Sequence, residues 1–329
     1  MSAEHAPVVT PLYTLLHGDS VHALAALADA GARAALSVTS IPFADLFAYT
    51  KDQADLGNNR PEAFWYGFRC LAAQWVRAMA PGRVVAIHCT QLKAYKVLHE
   101  FMGLRDFVGD VVRVMTDAGF EYRGDVTIAK NPQSVAQRMH DHNLLFTTFR
   151  KDRAQVWPTR NDYVLIFGAP GANEVPVISD ELSVETWIRD ACGVWKTAAE
   201  GPDLVLPFDT WDDISEGDVL RQRGAGGEDD TKHVCPLQLE VIRRCVLLWS
   251  NPGELVLDPF NGIGSTSYVA VKAGRRALGI DLKADHHKTA VANMRALDRE
   301  LAAKAAQGDL FGAKTTVCDA RSRRTERRA

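Results

Sequence analysis

The sequence predicts an α/β protein, a doubly wound and mostly parallel sheet with a small irregular insertion. Three observations predict it. Short apolar β-rich runs alternate with segments of helical apolar spacing in two separate parts of the chain, 10–170 and 233–305. The runs "AALSVTS" and "RVVAIHCT" are apolar at successive positions, as strands covered on both faces must be. A glycine loop, "NGIGST", joins one such run to a helical segment, the strand–loop–helix unit of a doubly wound sheet.

Taken in order, "LYTLLHGDS" reads as a strand ending at Gly18-Asp19, and "VHALAALADAG" as a short amphipathic helix closed by Gly31. "AALSVTS" follows as a buried strand. "PEAFWYGFRCLAAQWVRAMAPG" carries apolar residues at helical spacing and is expected to stop at Pro81-Gly82, before the parallel strand "RVVAIHCT". "FVGDVVRVMTDAGF" is helical, and "EYRGDVTIAK" and "NDYVLIFGAPG" are strands. In the second part, "PLQLEVIRRCVLLWS" is an amphipathic helix ended by the Asn251-Pro252-Gly253 turn. "ELVLDPF", "SYVAVKAGR", "RALGIDL" and "HHKTAVANMRALDRELAAKAAQ" then read strand, helix, strand, helix. Residues 171–232 fit neither pattern and are expected to form an insertion outside both units. The tail 306–329, ending "RSRRTERRA", reads as basic and disordered.

Bulk properties narrow the function. A net charge of −3 over 329 residues excludes a generally basic nucleic-acid binder, so any such contact must come from local patches. Cysteines 70, 89, 192, 235, 245 and 318 form no CxxC pair, which argues against a zinc ribbon or disulfide framework and for a reducing compartment. No apolar run reaches the ~18 residues of a membrane span, and the N-terminus lacks a signal-peptide pattern. His140 and His142 lack zinc-ligand spacing, so no metal is expected.

The stretch "ELVLDPFNGIGSTSYVAVKAGRRALGIDL" carries the most chemistry. Its first strand delivers Asp258, followed by Pro259 and Phe260. Gly262 and Gly264 allow close backbone approach to a ligand, and the next helix begins near Ser265 and Thr266 with free N–H groups. Asp281, seventeen residues after Gly264, ends the next strand, where a carboxylate can take both hydroxyls of a ribose. A dinucleotide would favour a third glycine where Ser267 stands. A phosphate loop needs a Gly-Lys-Ser/Thr that is absent. S-adenosylmethionine, without a phosphate, fits a glycine turn flanked by an acid and an aromatic.

"DPFNGIGST" followed by "GRRALGIDL" resembles the cofactor motif of the DNA amino-methyltransferases, which methylate N6 of adenine or N4 of cytosine. "HVCPLQLEVIRRCVLLWSNPGE" is similar to the helix preceding that motif, and "LLHGDS" to the element that reaches the cofactor's adenine. Ser40-Ile41-Pro42-Phe43 stands in the place of the family's (D/N/S)-P-P-(Y/F) catalytic motif. Catalytic motif first and cofactor motif last is the permuted β arrangement. "SVTSIPFADLFAYTKDQADLGN", "HCTQLKAYK" and "FVGDVVRVMTDAGFEY" resemble phage and prophage members in particular. The resemblance implies a Rossmann-like methyltransferase fold, S-adenosyl-L-methionine as cofactor, double-stranded DNA as partner, a cytoplasmic setting in a bacterium or phage-infected cell, a restriction-modification context without a nuclease in this chain, and a homodimer as one option.

It also implies roles. Ser40 and the Ile41 carbonyl would accept the two N–H groups of a flipped base's amino group, turning its lone pair toward the methyl donor, while Pro42 shapes the turn and Phe43 stacks on the base. Asp19, His233, Asp258, Pro259, Phe260, Gly262, Gly264, Ser265, Thr266 and Asp281 would surround the cofactor. Asp19 has the alternative of a turn residue, and His233 with Pro236 that of helix entry. Thr39 and Ser40 could merely cap a turn. His88 and Cys89 end a strand at the sheet's carboxyl edge, as pocket lining or as a satisfied core pair. Arg138, Arg150, Lys151, Arg153 and Arg160, interleaved with Phe149 and Trp157, suit phosphate contacts and stacking, or else a solvated charged face. Ile41 departs from the family's first proline. Pro42 still biases it to extended backbone, so activity is expected to persist, with a weakened DNA-binding relic as the alternative. RNA or protein methylation on the same fold is a second alternative, and a nicotinamide oxidoreductase a third, disfavoured by the missing third glycine. Ser at position 40 leans slightly toward cytosine.

Overall fold

The computed structural model describes residues 6–43, 61–130, 146–155, 160–178, 180–191, 194–197, 210–215, 217–220 and 237–322. In chain order, β1 (Val8–Val9) and β2 (Tyr13–His17) lead to α1 (Ser20–Asp29) and β3 (Ala34–Ser40). Then come α2 (Pro61–Ala78), β4 (Met79–Thr90), β5 (Leu92–Ala94), α3 (Lys96–His99), β6 (Gly103–Arg105), α4 (Phe107–Asp117) and β7 (Glu121–Ala129). α5 (Phe146–Lys151), β8 (Asp162–Gly168), α6 (Val184–Asp190), β9 (Val194–Thr197) and β10 (Thr210–Ile214) follow. The last part holds α7 (Leu239–Trp249), β11 (Leu255–Asp258), α8 (Ser265–Lys272), β12 (Arg276–Asp281) and α9 (Ala284–Ser322).

One sheet carries the order β1-β2-β12-β11-β3-β4-β8-β7-β9-β10. From β2 to β4 every neighbouring pair is parallel. The central pairing is β3 with β11, where Leu36 and Ser37 face Val256 and Leu257. It joins segments some 220 residues apart and sets their carboxyl ends side by side, the position at which open α/β sheets bind ligands.

The alternation of side chains sorts the core into two layers. One face of the sheet presents Val85, Ile87, Cys89, Leu165, Phe167, Leu257 and Ile280 to α1, α2 and α4. The other presents Leu15, Leu36, Val38, Ala86, Val164, Val256 and Ala277 to α7, α8 and α9. Phe64, Phe68, Leu71 and Trp75 lie on one stripe of α2 and are all essentially fully buried. At about 1.5–3 kcal/mol for each large side chain buried, this stripe is a principal anchor of the part of the sheet around β3 and β4. The Trp75 indole N–H donates to Ser37 Oγ (3.2 Å), which donates to the Leu257 carbonyl (2.8 Å), so the buried Ser37 hydroxyl is satisfied.

Four details differ from expectation. α2 ends at Ala78 rather than Pro81-Gly82, because Met79 already pairs with Ala34; the proline and glycine fall at the register shift that follows, with Gly82 at φ +70°. β4 is parallel to β3 but antiparallel to β8, which is itself antiparallel to β7. Residues 171–232 are not wholly outside the sheet: β9 pairs with β7, and β10 with β9, extending one edge. Residues 306–322, expected to be a disordered tail, continue α9, carried on from the alanine-rich run 302–306 with the Glu300–Lys304 pair one turn apart.

Candidate functional site

The carboxyl ends of β11 and β12 form one half of the site. Asp281, at the end of β12, accepts the Gly262 N–H (2.7 Å) on one oxygen and the Lys283 N–H (2.9 Å) on the other. His286 Nδ1 lies 3.5 Å from the same carboxylate. The loop bends back on itself through Asn261 N–H to the Ile280 carbonyl (2.9 Å) and Gly264 N–H to the Asn261 carbonyl (2.8 Å). Gly262 and Gly264 sit at φ +52° and +92°, a region that side chains disfavour; a β-carbon at Gly264 would also press within 3.2 Å of Ala290. Ser20 donates to the Pro259 carbonyl (2.5 Å), tying the start of α1 to the loop.

Asp258 is buried at the end of β11 and accepts the Thr39 hydroxyl (2.6 Å) and the Phe260 N–H (3.0 Å), with Thr266 as a further donor. Burial pushes its carboxyl up to about 6, these donors opposing and Asp281 adding to the rise. The Ser265 hydroxyl, at the start of α8, is buried and has no hydrogen-bond partner among the described residues.

The second half is the end of β3. Ser40 lies opposite His88 of β4, its hydroxyl 2.9 Å from His88 Nδ1. His88 Nε2 lies 3.2 Å from Asp162 Oδ2 at the start of β8, and Lys130 Nζ meets that same oxygen at 2.5 Å. Burial alone would raise the Asp162 pKa, but the Lys130 ammonium and His88 outweigh it and hold the carboxylate well below the usual range. Ile41 is buried in the core, and its N–H points to the His88 carbonyl (3.4 Å), extending the β3–β4 ladder by one residue. Phe43 is half-buried, edge-on to His88 and Phe107 with ring centroids 6.3 and 6.4 Å away. The Thr39–Asp258 hydrogen bond joins the two halves directly.

A family model described as DNA methylase matches residues 34–292, most of the chain. The chain belongs to that DNA methylase family. Among curated proteins, the chain is 43% identical over 54 residues to the type II methyltransferase M1.MboII of Moraxella bovis, a match that covers 16% of this chain and 21% of that one. It is 42% identical over 48 residues to the DNA adenine methyltransferase YhdJ of Escherichia coli K12, covering 15% and 16%. These matches thus span a quarter or less of each relative. Among solved structures, TTHA0409 of Thermus thermophilus, in complex with S-adenosyl-L-methionine, superposes with a TM-score of 0.57 at 21% identity over 87% of this chain and 93% of that one. The cytosine-N4-specific PvuII DNA methyltransferase gives 0.54 at 16% identity, covering 86% of each. Both share the fold.

Of the residues predicted from sequence, the fold brings together Ser40, Ile41, Pro42 and Phe43 with Asp258, Pro259, Phe260, Gly262, Gly264, Ser265, Thr266 and Asp281 around the β3–β11 junction. Asp19 is the N-cap of α1, its carboxylate accepting from Val21 N–H (2.7 Å), which is the turn role weighed for it. Arg150 and Lys151 end α5, and Arg153 lies over the Phe149 ring at 5.5 Å; all three are exposed. Arg160 departs from its expected place in an exposed basic face. It is buried and donates to the Gln91 carbonyl (3.1 Å), because the residue enters β8 at the sheet rim. Arg138, Trp157 and His233 lie outside the described residues. Three contributors escaped the sequence: Thr39 as the link to Asp258, and Asp162 and Lys130 behind His88. For Asp162 the available signal was a charge at the first position of an otherwise apolar strand, a costly place unless paired.

Proposed function

We propose that this methylase transfers a methyl group from S-adenosyl-L-methionine to the exocyclic amino nitrogen of a base extruded from double-stranded DNA, N4 of cytosine or N6 of adenine. The observation that carries the proposal is the Thr39–Asp258 hydrogen bond, which sets the Ser-Ile-Pro-Phe strand end against the glycine loop as one continuous rim. The cofactor supplies a sulfonium methyl, an electrophile needing no metal. The loop fits such a ligand on three counts. Its glycine backbone leaves room, the buried Ser265 hydroxyl lacks a partner among the described residues, and the Asp258 anion, destabilised by burial, gains from a nearby ammonium. Asp258 would take that cation, Asp281 the ribose hydroxyls and Phe260 the adenosine side.

The base's amino lone pair is delocalised into the ring, so the chain must localise it. Ser40 Oγ and the Ile41 carbonyl would each accept one N–H, which turns the nitrogen toward sp³ and aims its lone pair at the methyl. Phe43 would hold the ring face. The exposed Arg150, Lys151 and Arg153 would contact backbone phosphates. Names of relatives support this substrate class: a DNA adenine methyltransferase and a cytosine-N4-specific enzyme. Ile41 keeps the strand end in place without the family's proline, its N–H continuing the β3–β4 ladder to the His88 carbonyl, which favours an active enzyme over the relic alternative. The test is transfer of labelled methyl groups to duplex DNA, structured RNA and protein acceptors in parallel. Label in DNA alone is expected. Label only in RNA or protein would move the activity to another substrate on the same fold.

A further inference from the structure

Resting on that function, we infer that His88 is a positioning residue that makes the Ser40 hydroxyl a pure hydrogen-bond acceptor at the target amino group, with Asp162 fixing its tautomer. A serine hydroxyl has one hydrogen to give and two lone pairs to receive with. A carboxylate or amide oxygen at this position would accept from an amino N–H in any orientation. A hydroxyl accepts only if its own hydrogen is engaged elsewhere. If that hydrogen pointed at the amino group, it would bind the lone pair that must attack the methyl. Serine chemistry at position 40 therefore requires a second acceptor beside it.

The four side chains provide one. Ser40, His88 and Asp162 come from three adjacent strands, β3, β4 and β8, and Lys130 follows β7. Asp162, held ionised between Lys130 and His88, can only accept. The proton between it and His88, 3.2 Å apart, must then reside on His88 Nε2. In a neutral ring this leaves Nδ1 bare, facing the Ser40 hydroxyl at 2.9 Å, and the Ser40 hydrogen points to it. The lone pairs of Ser40 Oγ are left for the substrate. Lys130 meets the same Asp162 oxygen as His88, so the carboxylate charge is balanced without a second cation on the ring. His88 is buried, its backbone carbonyl faces the Ile41 N–H, and the ring is flanked by Phe43, on the base half of the rim. The network thus acts on the base and leaves the cofactor side untouched.

Three variants and one spectrum test this. His88→Ala should lower the single-turnover methylation rate by ~10- to 100-fold while cofactor and DNA dissociation constants stay within about threefold. His88→Asn, whose amide oxygen can stand where Nδ1 stood, should recover most of that loss. Asp162→Ala should be as slow as His88→Ala although the imidazole remains, because Nε2 loses its acceptor and is left facing the Lys130 ammonium, which moves the ring proton to Nδ1 and turns Ser40 into a donor. The imidazole ¹⁵N spectrum of the folded full chain, with His88 assigned by its loss in His88→Ala, should report a protonated Nε2 and a bare Nδ1; Asp162→Ala should reverse the two. A bare Nε2 in the unaltered protein overturns the inference, with or without turnover. So does a His88→Ala enzyme that folds and methylates at the normal rate. An unaltered enzyme that methylates no nucleic acid but carries the expected tautomer counts against the proposed function and leaves the hydrogen-bond assignment standing.

Discussion

The two halves of the rim are built differently. On the half proposed to hold the cofactor, carboxylates organise backbone: Asp281 holds the Gly262 and Lys283 amides, and Asp258 the Phe260 amide. Nearly everything needed lies within residues 258–283. On the half proposed to hold the base, side chains organise other side chains, and Ser40, His88, Lys130 and Asp162 come from four separate places along the chain. A backbone cradle imposes its requirement on adjacent positions, as glycines at positive φ and an acid at fixed spacing. A side-chain relay imposes nothing on the residues next to its members.

The difference governs what each half should tolerate. The largest effect is expected from Asp281→Ala, which strands two amides and removes the proposed ribose acceptor. Cofactor affinity measured by calorimetry should fall by ~100-fold, and the melting temperature should drop by an amount equivalent to about 1–3 kcal/mol. Ser40→Ala comes next: turnover should fall by ~10- to 100-fold with cofactor affinity within about twofold of the unaltered protein, since Ser40 lies on the other half.

Asp258 sharpens the comparison through pH. Its folded carboxyl is raised to about 6, from an ordinary value near 4, so the folded protein binds a proton more tightly than the unfolded chain. Stability from this group is present below the ordinary value and lost as pH rises toward about 6. A bound ammonium favours the ionised form, so cofactor affinity should rise up to about tenfold per pH unit on approaching pH 6 from below and level off above it, with proton release in buffers of different ionisation heat. Asp258→Asn should abolish that pH dependence. Thr39→Val removes the bridge between the halves; a loss of about 1–2 kcal/mol in denaturant unfolding is expected, together with a further rise of the Asp258 carboxyl. The smallest effect is expected from Ile41→Pro, which forfeits only a long 3.4 Å contact to the His88 carbonyl. Turnover should stay within about threefold. A large gain would revive the view that isoleucine had disabled the enzyme.

The same contrast explains what was legible in the sequence. Asp258, Gly262, Gly264 and Asp281 could be read because a glycine turn between strand and helix has few chemical explanations. That the Ser40 segment meets the glycine loop was implied by the family resemblance and by no residue pattern of its own; the β3–β11 pairing is what brings them together. Asp162 and Lys130 could not be read, because nothing near them marks that they meet His88; the antiparallel pairings of β8 with β4 and of β7 with β8 bring them there. Arg160 misled because composition alone cannot distinguish an exposed arginine from one bonded inward to a carbonyl. The addition of β9 and β10 to the sheet edge was hidden because short edge strands carry little periodicity.

The most direct test of the whole account is mass spectrometry of nucleosides from duplex DNA methylated by the unaltered enzyme and by Ser40→Ala. The account predicts N4-methylcytosine or N6-methyladenine from the former, and little of either from a Ser40→Ala enzyme that still binds the cofactor. Methylation on a ring carbon, as in 5-methylcytosine, or equal amino methylation by both enzymes, would contradict it.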